Sequence, residues 1–287
     1  MSTDQPWTIR RLLDWTKSFL AGKGVDSPRL EAELLLGHAL GCPKIALYTR
    51  YEEIPSVTQR AAFKDLVQQR ITGRPVAYLL GKKEFYSLEF EVGPSVLIPR
   101  PDSEWLVAET EALVKCLPTA AVLDLGTGSG CLAVAIAVRV KSAAITAVDI
   151  SREAVEIASR NATKHKVSDR VRIVQGDLFG PIGSDTAFDV ILSNPPYIPS
   201  ADVQNLDPGV RNFEPHLALD GGPDGFTIIN RLLEQAPAVL KPGGAILIEI
   251  GHDQADEARR RFAAGGWSID REVKDNAGHV RVLRGRR

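Results

Sequence analysis

The sequence predicts an α/β fold: a mostly parallel β-sheet covered by helices on both faces, preceded by a small helical bundle. Three observations carry this. Beyond about residue 103, short apolar runs alternate with helical patterns, and strands that are apolar throughout are those buried on both faces. The first 80 residues repeat apolar side chains at helical spacing and contain no strand-like run. Three glycines, Gly126, Gly128 and Gly130, close the first apolar run, and ligands of such sheets bind at the strand ends.

The elements follow in order. Ile9, Leu12, Leu13, Phe19 and Leu20 share one helical face. "DSPRLEAELLLGHAL" offers Ser27 as an N-cap and Pro28 at the first helical position, with Leu30, Leu34 and Leu35 as its apolar stripe. A further helix is expected over 57–71, with Phe63, Leu66, Val67 and Ile71 inward and Gly73 and Pro75 ending it. Four or five helices are expected here, without a cluster of catalytic residue types. Residues 84–98, "EFYSLEFEVGPSVLI", read as a β-hairpin breaking at Gly93-Pro94. Strands are then expected at 121–126, 144–149, 171–177, 188–193 and 244–251, helices at 129–140, 151–166, 225–240 and 253–264, and two last strands in "WSIDREVKD" and "HVRVLRG".

Composition narrows the function. The chain has 287 residues and a formal net charge of −1, without the basic footprint of a protein that coats nucleic acid. The basic end "RVLRGRR" reads as a solvated tail. No apolar run reaches the ~18 residues needed to span a bilayer, and the N-terminus lacks the apolar core of a signal peptide. Cys42, Cys116 and Cys131 are far apart and odd in number, which fits neither a metal knuckle nor a disulfide framework. A reduced, cytoplasmic protein with no metal site is expected.

Three successive strand ends carry ligand-type residues. The spacing at Gly126, Gly128 and Gly130 is G-x-G-x-G, not the G-x-G-x-x-G of a dinucleotide site; a glycine turn without a ligand is the alternative. Asp149 ends the next strand, 21 residues after Gly128, where a carboxylate accepts both hydroxyls of a ribose; capping the following helix is the alternative. Asp177, in "GDLF", is placed to accept from an adenine amino group beside Leu178 and Phe179, or else to form an Asx-turn. Together they suit an adenosine cofactor, shared by NAD and S-adenosylmethionine (AdoMet) enzymes.

Residues 193–200, "SNPPYIPS", decide between the two. Two prolines cannot continue a sheet. The Asn194 side-chain oxygen and the Pro195 carbonyl are two acceptors on a rigid turn, suited to a planar –NH₂ group. Tyr197 adds a flat face for stacking on it. Acceptors there orient an amide-like nitrogen and favour the positive charge it gains on attacking a methyl group. A strand terminator with Asn194 capping a turn is the alternative.

"NPPY" after a strand, with "DLGTGSG" upstream, resembles AdoMet-dependent methyltransferases of exocyclic or amide nitrogens. Over nearly its whole length the chain is similar to one family, the protein-(glutamine-N) methyltransferases of peptide release factors (PrmC/HemK). The family's "REF[WY]SL…LIPRPDTE" stands here as "KEFYSLEFEVGPSVLIPRPDSE" (83–104), and "VR-x-[FY]-EP-x-x-AL" lies within "VRNFEPHLALDGGPDG" (210–225). "LKPGGAILIEIG" and "DNAGHVRV" (275–282) match too. Departures are small, Ser103 and Ser129 where Thr is common and "DNAGHVR" for "DYAGNER", and none is expected to touch the proposed chemistry.

The resemblance implies a Rossmann-like, seven-stranded AdoMet methyltransferase domain over 103–287. A helical, substrate-engaging domain over 1–80 and a hairpin linker over 81–102 precede it. It implies methyl transfer to the glutamine of the Gly-Gly-Gln loop in class 1 release factors. Cofactor contacts carry over to Gly126, Thr127, Gly128, Ser129, Gly130, Asp149, Asp177, Leu178 and Asn194. Asn194, Pro195, Pro196 and Tyr197 then hold the glutamine amide, with Asn194, Pro195 and Tyr197 catalytic. Residues 98–104 either line the same crevice or form a stiff linker, and Glu249 ends a strand facing it, with a purely structural role as the alternative. A monomer without stable nucleic-acid binding or membrane attachment is expected. The competing readings are a methyltransferase of amino groups in nucleic acid, a non-catalytic AdoMet-fold binding protein, and a dehydrogenase, which leaves the NPPY segment unexplained.

Overall fold

A computed structural model describes residues 6–183 and 185–287. The chain divides into two compact units, one running up to Gly81 and including 208–213, the other comprising 82–207 and 214–287.

The first unit holds α1 (Ile9–Ala21), α2 (Pro28–Leu40), α3 (Lys44–Thr49), α4 (Val57–Ile71) and α5 (Val76–Leu80). Local chemistry fixes the ends. The Thr8 hydroxyl accepts the Arg11 N–H at 3.3 Å, and Ser56 with Gln59 forms a reciprocal capping box. Ile9, Leu20, Leu35, Leu36, Leu47 and Phe63 are buried in its core. The inward face of α2 differs from the expected stripe: Ala32, Leu35 and Leu36 are buried, while Leu30 is exposed. Successive leucines leave the 3.6-residue phase open, and packing chose the arc next to the one anticipated. Ile71, expected inward, is exposed at the end of α4.

The second unit holds β1 (Lys82–Phe85), β2 (Leu88–Glu91), α6 (Glu104–Val114), β3 (Ala120–Leu125), α7 (Cys131–Arg139), β4 (Ala143–Asp149), α8 (Arg152–Lys164), β5 (Val171–Gln175) and β6 (Phe188–Ser193). After α9 (Pro208–Arg211), which groups with the first unit, come α10 (Thr227–Gln235), β7 (Leu240–Glu249), α11 (Ala255–Ala264), β8 (Ser268–Lys274) and β9 (Val280–Arg286).

The seven-stranded sheet has the order β5-β4-β3-β6-β7-β9-β8. Five strands are parallel, and β9 runs antiparallel to both β7 and β8. This is the α/β class the sequence predicts. From β3 the chain winds outward through β4 and β5, then returns to β6 on the other side. That reversal opens a crevice beyond the ends of β3 and β6. The register sets Leu125 beside both Val148 and Ser193, so Gly126, Asp149 and Asn194 emerge at one edge. Leu123, Leu125, Ile191, Leu247 and Ile248 are fully buried beneath.

The hairpin corrects one expectation. It turns at Tyr86 and Ser87 (φ 51° and 61°), with Phe85 opposite Leu88, not at Gly93-Pro94. Two positive φ values normally call for Asn-Gly. Here the Tyr86 N–H donates to Glu104 Oε1 at 2.8 Å, and Phe85 and Phe90 are buried on either side. Tertiary contacts override turn chemistry. Strand β5 also stops at Gln175, which leaves Asp177 in the following turn, and α6 was not anticipated.

Candidate functional site

The glycine loop is built by backbone shape and two buried side chains. Gly128 has φ 55°, and a Cβ there would meet nothing within 4 Å, so the loop turns and leaves that face open. Gly130 has φ 78°, and its Cβ would stand 3.0 Å from the Ala158 Cβ on α8. That glycine lets the helix pack close. Below the loop, the Thr127 hydroxyl donates to Asp124 Oδ2 at 2.6 Å. Asp124 is fully buried, and burial pushes its carboxyl up to about 7. From the side, the buried Asn161 of α8 donates to the Ser129 carbonyl at 2.8 Å and to the Glu91 carbonyl at 3.0 Å. Its Oδ1 accepts the Glu91 N–H at 2.7 Å.

Asp149 stands across the loop. Its Oδ2 accepts the Gly128 N–H at 2.7 Å and its Oδ1 the Ser151 N–H at 2.9 Å. Burial raises its pKa while these donors oppose the rise. The carboxylate thus holds the loop and serves the start of α8 together, and each oxygen keeps a lone pair. Asp177 is half exposed, with Oδ2 accepting from Arg231 Nη2 at 2.8 Å, so an ion pair, not an Asx-turn, occupies it.

A cleft of about 490 Å³ opens between these strand ends, a size suited to a small-molecule ligand. Gly126, Thr127, Gly128 and Ser129 form one wall, Asp149, Asp177 and Leu178 another, and Asn194, Pro195 and Pro196 the far side. Two expected residues stand apart: neither Gly130 nor Tyr197 lines the cleft. Gly130 faces α8 instead. Residues Pro99, Arg100 and Ser103 do line it, which favours the crevice reading of 98–104.

The far side is assembled from distant segments. Asn194 Nδ2 donates to Ser103 Oγ at 2.8 Å. The turn after it is clamped by backbone pairs: the Ile198 N–H donates to the Leu219 carbonyl at 3.0 Å, the Gly221 N–H to the Ile198 carbonyl at 2.8 Å, and the Ser200 N–H to the Gly222 carbonyl at 2.9 Å. Gln254 Nε2 donates to the Tyr197 carbonyl at 2.8 Å. The contact is tight enough to require glycine: a Cβ at Gly225 would lie 2.3 Å from the Tyr197 carbonyl, and one at Gly221 2.8 Å from that of Pro196. Arg100 pairs with the buried Glu214 at 2.6 Å, and Glu214 Oε2 also accepts the Ile98 N–H at 3.2 Å. Beneath the turn, the Tyr197 hydroxyl lies 3.5 Å from Arg281 Nη2, and Arg281 Nε lies 3.2 Å from Asp102 Oδ2. Burial raises the Tyr197 pKa.

Ser103 is expected only as part of the 98–104 segment and not as a partner of Asn194, and Asn161, Glu214, Gln254 and Arg281 are not singled out by the sequence. Ser103, Glu214 and Arg281 fall inside the quoted motif segments, which was the available signal. Asn161 and Gln254 sit in ordinary helical sequence and offered none.

Two family models match the chain: "PrmC N-terminal domain" over residues 11–81 and "Methyltransferase small domain" over 106–206. Curated relatives match along its whole length. The release factor glutamine methyltransferase of Rhodopirellula baltica is 47% identical, covering 98% of this chain and 97% of that protein. The one from Geobacter sulfurreducens is 44% identical, covering 99% of each. Among solved structures, a methyltransferase from Pyrococcus furiosus superposes with a TM-score of 0.53 at 22% identity, over 77% of this chain and 96% of that one; this likeness shows the fold. On these full-length likenesses, which agree with the helical unit, the seven-stranded sheet and the glycine-loop cleft walled by Asn194, Pro195 and Pro196, the chain belongs to the release factor glutamine methyltransferase family.

Proposed function

We propose that this chain transfers a methyl group from AdoMet to the side-chain amide nitrogen of the glutamine in the Gly-Gly-Gln loop of class 1 peptide release factors. The observation that carries this is Asn194, fixed by Ser103, on the wall of the cleft opposite the glycine loop. The full-length relatives named for this activity support it.

The cleft suits AdoMet. The face open at Gly128 admits a close backbone approach. Gly126, Thr127, Gly128 and Ser129 would border the methionine part, and Asp149 would accept the ribose hydroxyls with its remaining lone pairs. Leu178 would flank the adenine, with Asp177 at its edge. AdoMet supplies an electrophilic methyl group when bound.

The protein's contribution is to present the acceptor nitrogen. With Nδ2 committed to Ser103, Asn194 would offer Oδ1 as the acceptor. The Pro195 carbonyl, on a turn locked by two prolines and the 219–222 clamp, is the second. Together they bind both hydrogens of a carboxamide –NH₂ and orient its nitrogen. They also stabilise the positive charge that develops there. One such preorganised contact contributes about 3 kcal/mol, or roughly 10²-fold in rate. No general base is needed, because the methylated amide nitrogen is strongly acidic and sheds its proton to water. Tyr197 supports the turn from beneath in this geometry, so its part is to hold the acceptor carbonyls in place.

Label transfer tests this. Purified protein with methyl-labelled AdoMet is offered a release factor, its Gln→Ala loop variant, and DNA. Label in the factor, lost in the variant, is expected. Label in DNA alone would mean that NPPY acts on a nucleobase and that the substrate is misassigned.

A further inference from the structure

Glu249 is fully buried at the end of β7, opposite Val282 of β9, and among the described residues neither carboxylate oxygen has a hydrogen-bond partner. Burying a carboxyl without partners is unfavourable, so stability does not explain it. Its surroundings belong to the acceptor side of the cleft. The Ser103 hydroxyl favours its ionised form, though the two make no hydrogen bond here. Ser103 is itself buried, and it already accepts from Asn194 Nδ2 at 2.8 Å. Its own hydrogen is therefore available to the carboxylate.

We propose that Glu249 is a positioning residue: through the Ser103 hydroxyl it holds the Asn194 amide in the orientation that presents Oδ1 to the substrate. The inference rests on the functional reading above. An ionised Glu249 can only accept. It draws the Ser103 hydrogen toward itself and leaves the Ser103 lone pairs facing Asn194 Nδ2. A protonated Glu249 carries an O–H that competes with Asn194 for the same Ser103 oxygen. The Asn194 amide then loses its fixed donor contact and turns freely.

Burial pushes Glu249 up to about 7, so both forms are populated near neutral pH. The charged and titratable groups around it come from every neighbouring segment. Arg100 and, on β9, Arg281 favour the carboxylate, and Asp102 opposes it. Tyr197 and the Cys131 thiol of α7 also feel its charge. The two arginines cannot titrate in this range, and burial raises Tyr197 and Cys131 further above it. Asp124, beneath the glycine loop, is also raised to about 7 by burial, so the pH profile of Glu249→Gln is what assigns an inflection near neutrality to Glu249.

The test is kcat for methyl transfer to a release factor at saturating substrates, from about pH 5.5 to about pH 9, with AdoMet affinity measured by calorimetry. For the wild type, kcat is expected to rise at least roughly tenfold through an apparent pKa near 7. Glu249→Ala is expected to lower kcat at about pH 8 by roughly 10–100-fold, with AdoMet affinity within about threefold of wild type. Glu249→Gln, the uncharged isostere of the protonated acid, is expected to hold kcat near the low-pH value of the wild type and to abolish the inflection. AdoMet affinity near wild type reports a folded cleft. If Glu249→Ala does not fold, the isosteric Gln variant decides by its pH profile. An Ala variant with wild-type kcat, or a Gln variant that keeps the inflection, overturns the proposal while the functional reading stands. A wild type that binds AdoMet but methylates no release factor at any pH overturns that reading and the proposal with it.

Discussion

The two walls of the cleft are built by different means. The glycine-loop wall is local in the chain: Asp124, Thr127, Gly128, Asp149 and Ser151 satisfy one another across two neighbouring strand ends. The acceptor wall is non-local. Asn194 leans on Ser103, the turn after it on 219–222 and Gln254, and Arg100 on Glu214. The first wall can bind a ligand through a loop shape that few residues encode. On the proposed function, the second must hold two acceptors in fixed geometry, and the distant segments it meets would serve that end. Binding tolerates modest adjustment, whereas the rate of transfer depends on orientation.

That contrast predicts a split between rate and affinity. Asn194→Ala removes one oriented acceptor and is expected to cut kcat by at least roughly 10²-fold while leaving AdoMet affinity within a few-fold. Near-wild-type turnover would break the division between the walls. Asp149→Ala removes a charged acceptor from the other wall, and calorimetry should find AdoMet binding weaker by about 1.5–3 kcal/mol, or roughly 10–150-fold. An unchanged dissociation constant would reject the ribose assignment. Gly225→Ala forces a Cβ against the Tyr197 carbonyl at a positive φ. It should lower kcat about tenfold and stability by about 1–3 kcal/mol, with AdoMet binding spared. Weakened AdoMet binding without a rate defect would show that the turn serves the wrong wall.

The last effect concerns stability alone, and here the walls behave alike. Asp124 and Glu249 are each raised to about 7 by burial. Between about pH 4 and about pH 7 the folded state binds more protons than the unfolded chain, so stability falls as pH rises through that window and levels off above it. The expected slope is about 1 kcal/mol per pH unit for each group. Urea midpoints at about pH 5.5 and about pH 8 should converge in Asp124→Asn and Glu249→Gln. Variants that keep the wild-type difference would contradict the burial of these acids as charged-state penalties.

How much was readable follows the same division. The parallel strands were legible where a largely apolar run ends at a ligand-type residue, as β3, β4 and β6 do at Gly126, Asp149 and Asn194, whereas β5 stops at Gln175, short of Asp177. Gly126, Gly128, Asp149 and Asn194 all reach the cleft. The phase of α2 was not, since a run of leucines does not say which arc packs. The hairpin turn was misplaced because Tyr86 and Ser87 carry no turn chemistry and are held by Glu104. Tyr197 was read as a stacking face from its type alone, but the clamp on its carbonyl sets it outside the cleft lining. Ser103 and Arg281 act by meeting partners far away in the chain, and spacing in one sequence does not encode that meeting.

The most direct test of the account is the position of the transferred methyl group. A release factor incubated with the protein and AdoMet would be digested and its loop peptide fragmented in a mass spectrometer. The account predicts a single added methyl on the side-chain amide of the Gly-Gly-Gln glutamine, absent when Asn194→Ala replaces the wild type. A methyl group on any other residue, or an equal yield from the Asn194 variant, would contradict it.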